Sequence, residues 1–136
     1  KDSEDAGFVA AVDSLLADKL TTLQWWEENR ELSERFYREV LGMEGDAPRT
    51  CEPWICRRIV DMHLRSPAML AILPLQDWLA TDAALRSPHA DRERINIPAA
   101  PRYYWRYRMH LTLEELLRQE PFNTTLREMI IAGGRR

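Results

Sequence analysis

The chain has 136 residues, a formal net charge of −3 and 45% apolar residues, enough for one domain with a hydrophobic core and with no need of a second. Acidic and basic residues are interspersed, so bulk charge gives no reason to expect nucleic acid or an anionic membrane as partner. No apolar run approaches the ~20 residues that cross a bilayer, and the opening Lys1-Asp2-Ser3-Glu4-Asp5 carries no secretory pattern, so a reducing cytoplasmic setting is expected.

The first residue is Lys rather than Met, as in an internal segment of a longer protein. From Ser3 the apolar positions Phe8, Val9, Val12, Leu15, Leu16 and Leu20 recur at helical spacing. A second, longer amphipathic helix is predicted from a cap at Thr21 or Thr22 through Trp25, Trp26, Leu32, Phe36, Tyr37, Val40 and Leu41, closed by Gly42. On it, Glu27, Glu28 and Glu31 read as a solvated face paired with Arg30, Arg35 and Arg38. A third helix opens at Cys51-Glu52-Pro53, with proline suited to the first turn, and breaks at Ser66-Pro67. The only cysteines, Cys51 and Cys56, would stand about 140° apart if both lay on that helix at ~3.6 residues per turn, which argues against a disulfide or a shared metal.

Met69 to Leu75 is a continuous apolar run bounded by prolines, the pattern of a strand buried on both faces. A lone strand forms no sheet, so the chain is either nearly all helical with that run buried or supplies a strand to a larger sheet. Gln76 to Ala80 reads as a short helical turn, and residues 87–101 as a polar, proline-rich loop. It leads into the aromatic and arginine run Tyr103 to Arg108. A helix capped by Thr112, with Glu115 three residues on, and a last helix from about Phe122 to Ala132, ended by Gly133-Gly134, complete the chain.

The densest group of candidate binding residues is Arg92, Arg94, Asn96, Arg102, Trp105 and Arg106. Flat aromatic faces suit the C–H faces of sugar rings, and fixed polar forks suit their hydroxyls. The same mixture would hold single-stranded RNA, and aromatic stripes are also ordinary core packing. Two of the 19 basic residues, Lys1 and Lys19, are lysines and the rest arginines, a bias that fits rigid hydrogen-bonding forks but also a GC-rich coding sequence. Gln76 and Asp77 follow the apolar run directly, where α/β folds place their sites; Asp77 as a helix N-cap is the competing reading. His63, His89 and His110 lack metal-ligand spacing. No glycine-rich phosphate loop or Ser/His/Asp order is present.

Three blocks together resemble the amylomaltase or disproportionating-enzyme family of 4-alpha-glucanotransferases. They are Trp25-Trp26-Glu27-Glu28-Asn29-Arg30 through Arg35-Phe36-Tyr37 to Leu41-Gly42, Ser66-Pro67-Ala68-Met69 into Pro74-Leu75-Gln76-Asp77-Trp78, and Glu93-Arg94-Ile95-Asn96-Ile97-Pro98 followed by Tyr104-Trp105-Arg106-Tyr107-Arg108. The resemblance implies an α/β fold, the C-terminal segment of a (β/α)8 barrel, mostly helical as an isolated chain with one buried strand near 69–75. Residues 21–136 would be the C-terminal part of that catalytic barrel, and residues 1–20 a divergent helical segment.

It further implies transfer of α-1,4-glucan segments to glucose or glucan acceptors with retention and without a cofactor or metal. The substrates would be α-1,4-glucans and maltooligosaccharides, and the remainder of the barrel the structural partner, with no nucleic acid or membrane. Substrate-binding positions carried over are Gln76, Asp77, Arg94, Asn96, Pro98, Trp105 and Arg106. Retention requires a nucleophile and an acid/base, which the family carries upstream of the position of Lys1, so no catalytic residue is expected here and the chain alone would be inactive. The family's third carboxylate belongs to a His-Asp pair before the tryptophan block. Asp18-Lys19-Leu20-Thr21-Thr22 stands there without a preceding His, and Asp18 is not given that role.

Overall fold

A computed structural model describes residues 22–95, 99–102, 104 and 106–135. The chain divides into two compact units, one of Lys1–Cys51 with His89–Tyr107 and one of Glu52–Pro88 with Arg108–Arg136. The helix expected from Ser3 lies outside the described residues.

In the first unit, the predicted long helix is present but interrupted. Helix α1 spans Thr22–Glu28, Asn29 leaves helical geometry with φ −117° and ψ 62°, and α2 resumes over Arg30–Arg35. A π-helical turn, Phe36–Val40, follows directly. At the break, Ser33 Oγ lies 2.8 Å from the carbonyl oxygen of Trp26 and 3.0 Å from that of Asn29, and Asn29 Nδ2 donates to Trp25 O. Side-chain donors thus bridge carbonyls where the ladder bends.

Trp25, Trp26 and Phe36 form the core, their ring centroids 6.3–6.5 Å apart in edge-to-face pairs. Each such pair adds about 0.5–1.5 kcal/mol to the area buried. Trp26 Nε1 and Arg30 Nη1 both donate to Pro48 O, Arg30 Nη2 donates to Ala47 O, and Glu34 accepts from Ala47 N. Those bonds fasten the loop after Gly42, whose φ of +66° turns the chain. The expected surface ion pairs differ in their acids. Arg30 and Arg38 pair with Glu34, and Arg35 with Glu39, because those carboxylates stand four residues away on the same helical face. The 3₁₀ turn Ala90–Glu93 lies against α1.

In the second unit, α3 spans Pro53–Leu64 with proline in its first turn. Ile55, Cys56, Ile59, Val60 and Leu64 make its buried stripe. Helix α4 is the single turn Leu75–Leu79. Helix α5, Leu113–Leu117, carries the expected capping box between Thr112 and Glu115. Helix α6, Glu120–Ala132, begins two residues ahead of its predicted start and ends at Gly133. Val60, Leu64 and Met129 form one core cluster, with Leu73, Trp78 and Ile130 packed on it. Leu79, Leu85 and Phe122 form another, joined by Leu111, Leu116 and Leu126.

The buried strand expected near 69–75 is not formed. Residues 70–74 are irregular, and Met69, Leu70 and Ile72 are 92%, 73% and 88% exposed. A strand needs neighbours to take its backbone hydrogen bonds, and none of the described residues forms one. The described residues are therefore helical and irregular, without the sheet of an α/β fold.

Candidate functional site

Gln76 and Asp77 occupy the first turn of α4, entered through Pro74 with extended ψ of 148°. Asp77 lies inside that turn rather than at its cap, and Pro74 supplies no side-chain acceptor. The N-cap alternative for Asp77 is thereby set aside. Both side chains are buried, at 4% and 3% exposure. Burial of Gln76 carries a specific consequence. Its Nε2 has no hydrogen-bond partner among the described residues, and a buried amide donor left unmade costs about 1–3 kcal/mol. Such an atom suits an acceptor supplied from elsewhere, such as a hydroxyl or a backbone carbonyl.

The other candidates belong to the first unit. Arg94 is half-buried and extended just after the 3₁₀ turn, with φ −69° and ψ 120°. Arg106 is exposed, its guanidinium carbon 5.0 Å from the centroid of the Tyr104 ring. That cation–π contact is worth about 0.5–1 kcal/mol at an exposed site and covers one face of the ring. Asn96, Pro98 and Trp105 lie outside the described residues. Arg92 and Arg102 are exposed. Gln76 and Asp77 thus belong to one unit, and Arg94 and Arg106 to the other.

Immediately before Arg94 sits a buried acid. Glu93 is 2% exposed, and burial followed by the Glu93 charge raises the Tyr107 phenol above its ordinary pKa. His63 Nδ1 is engaged with Ile59 O at 2.8 Å, and His110 Nε2 with Leu85 O at 2.7 Å. No group of three potential metal ligands occurs among the described residues. Cys51 precedes α3 rather than lying on it, and both cysteines are buried free thiols. No described helix is long and apolar enough to cross a membrane.

One residue of the second unit carries no signal of its contacts in the local sequence. Arg135, just past α6, donates through Nε to Leu64 O at 2.7 Å, through Nη2 to Ser66 O at 3.1 Å and Ala68 O at 2.9 Å, and through Nη1 to Met69 O at 3.4 Å. The sole local signal was Gly133-Gly134 ahead of it, legible as a helix end but not as the approach of a guanidinium.

Comparison with known proteins gives a consistent result. The sequence model of the 4-alpha-glucanotransferase family matches residues 12–113. The chain is 39% identical over 118 residues to the 4-alpha-glucanotransferase DPE2 of Oryza sativa subsp. japonica, an overlap covering 87% of this chain and 12% of that protein. It is 31% identical over 117 residues to a 4-alpha-glucanotransferase of Chlamydia pneumoniae, covering 85% of this chain and 22% of that protein. The matched stretch therefore spans less than a quarter of the length of either relative. No solved structure matches it.

Proposed function

Since this chain belongs to the 4-alpha-glucanotransferase family, we propose that it forms the C-terminal part of the catalytic region of such an enzyme and contributes sugar contacts to it. The complete protein transfers α-1,4-glucan segments to glucose or glucan acceptors in the cytoplasm. It acts by retaining double displacement, in which one carboxylate attacks the anomeric carbon and another carboxyl group protonates the leaving oxygen, then activates the acceptor hydroxyl. Both groups are supplied outside this chain, which has no turnover alone.

In this reading Met69 to Leu75 is the last strand of a (β/α)8 barrel, and residues 21–136 close it. Support comes from the exposed apolar side chains of Met69, Leu70 and Ile72, a surface that neighbouring strands would cover. Gln76 and Asp77 then stand at the C-terminal end of a barrel strand, the face where such folds build their sites. Arg94, Asn96, Pro98, Trp105 and Arg106 supply further glucan contacts. The single observation that carries the sugar-contact role is the buried, unpartnered Gln76 Nε2, a donor that a glucan hydroxyl would satisfy.

The test is disproportionation of maltotriose. The full-length protein is expected to yield glucose and longer maltooligosaccharides, and the isolated chain neither. Turnover by the isolated chain would overturn the division of labour. Arg94→Ala and Asn96→Ala in the full-length protein are expected to impair transfer more than folding, and unchanged kinetics in both would return that loop to a structural role.

A further inference from the structure

The end of α6 is built to bring one guanidinium onto the backbone that leads to Gln76. A Cβ added at Gly133 would stand 2.9 Å from Leu64 Cβ and 3.0 Å from Leu64 O, so the absence of a side chain lets α6 close this tightly on the end of α3. Gly134 turns the chain with φ +75°, a conformation open to glycine at little cost. Arg135 follows. Its donors reach the carbonyls of Leu64, Ser66, Ala68 and Met69, and Nη2 also lies 3.4 Å from Ser66 Oγ. Carbonyls at and beyond a helix C-terminus lack intrahelical partners and carry the negative end of its dipole. A planar cation with five N–H groups matches several of them at once, where a lysine ammonium has three donors at one point.

The stretch so fastened is the approach to the proposed sugar contacts. From Met69, residues 70–74 run without regular structure into α4. Their far end is held by Leu73 and Trp78, packed on the cluster of Val60, Leu64 and Met129. In sequence, Gln76 and Asp77 lie between those two packed residues. Two anchors on α3 and α6 therefore bracket the segment, one of hydrogen bonds at residues 64–69 and one of apolar packing at Leu73 and Trp78. Residues 70–74 leave the first anchor at Met69, so the register in which they reach Gln76 is set where Arg135 holds the backbone.

We propose that Arg135 is a positioning residue for glucan binding, setting the placement of Gln76 and Asp77 through its hold on the backbone of residues 64–69. The inference rests on the reading of Gln76 and Asp77 as sugar contacts. It assigns Arg135 no contact with the glucan.

The test uses the full-length protein with Gln76→Ala, Asp77→Ala, Arg135→Ala, Arg135→Lys and the double variant Asp77→Ala/Arg135→Lys. Disproportionation kinetics on maltooligosaccharides are read as kcat and KM, with thermal unfolding in parallel. Arg135→Lys keeps the charge and loses the fork; it is expected to unfold cooperatively yet lose about tenfold in kcat/KM, chiefly through KM, since small misplacements of binding groups have effects of this order. In the double variant the combined loss is expected to fall short of the product of the single losses, because a displaced contact already removed cannot be lost again. Multiplicative losses, or wild-type kinetics in Arg135→Lys, overturn the positioning role while leaving the sugar-contact reading intact if Gln76→Ala and Asp77→Ala are impaired. Wild-type kinetics in Gln76→Ala and Asp77→Ala overturn both. If Arg135→Ala fails to fold, Arg135→Lys alone decides.

Discussion

The Tyr107 phenol titrates above its ordinary value because it is partly buried and because the carboxylate of Glu93, itself 2% exposed, lies near it. A raised folded-state value means that the neutral phenol contributes its stability in full below the unfolded value near 10 and loses it as pH rises through the folded value. Tyr107→Phe is therefore expected to lose less stability than wild type above pH ~10. Urea midpoints at pH 8 and pH 11 measure this, and the same drop in both proteins would count against the pairing.

Gly133→Ala is expected to destabilise the second unit by about 1–3 kcal/mol, the usual range for overpacking. The new methyl meets Leu64 Cβ and backbone at 2.9–3.1 Å, and backbone does not yield as a flexible side chain would. Gly42→Ala provides the contrast, since nothing lies within 4 Å and only its φ of +66° resists the side chain. Its expected cost, about 1–2 kcal/mol, is purely conformational. Denaturant titration of both variants measures the two effects. A neutral Gly133→Ala would show that α6 can draw back from α3.

The carboxyl of Glu115 is held below its ordinary pKa, first by the backbone N–H of Thr112 and then by the Thr112 side chain. A lowered folded value contributes stability above the unfolded carboxylate range that disappears as pH falls through the folded value. Glu115→Gln is thus expected to be less stable than wild type at pH 7 and equal to it at pH ~2, below the carboxylate range. Melting temperatures across that interval should converge; a constant gap would mean that the charge of Glu115 is irrelevant to the cap.

What the sequence made legible was whatever is determined locally. The start of α3 at Pro53, the capping box at Thr112 and Glu115, and α6 depend on residues within one turn of each other, and each is present. The run at Met69 to Leu75, expected as a buried strand, is irregular through Pro74 and largely exposed here, because apolar character reports a preference for burial while a strand also needs partners to pair with. The break at Asn29 was equally invisible, since Ser33 bridges it by reaching a carbonyl seven residues back. In the candidate site, Gln76 and Asp77 were legible from their place after the apolar run, but their burial was not. Arg135 was missed because its nearest acceptor lies 71 residues earlier, a separation at which periodicity carries no information.

The exposure of Met69 and Ile72, 92% and 88%, makes the isolated chain prone to self-association through this apolar surface. Met69→Ser with Ile72→Ser is expected to shift the isolated chain toward monomer in light scattering. The same pair in the full-length protein is expected to lower its melting temperature, because there the side chains would be covered. A monodisperse wild-type chain, or an unaffected full-length variant, would argue against a covering partner.

The π-helical turn Phe36–Val40 closes with Leu41 N donating to Phe36 O at 3.0 Å, five residues back instead of four. In an α-helix, deleting one residue rotates everything downstream by ~100° and swings the apolar face out of the core. Here the surplus residue has already been taken up, with Phe36 and Tyr37 inside and Arg38 and Glu39 on the surface. Loss of either exposed residue would restore ordinary α spacing while leaving the loop held by Arg30 in register. The segment therefore carries one position of slack after Tyr37, a place where the length of this protein can change without disturbing the aromatic core of Trp25, Trp26 and Phe36.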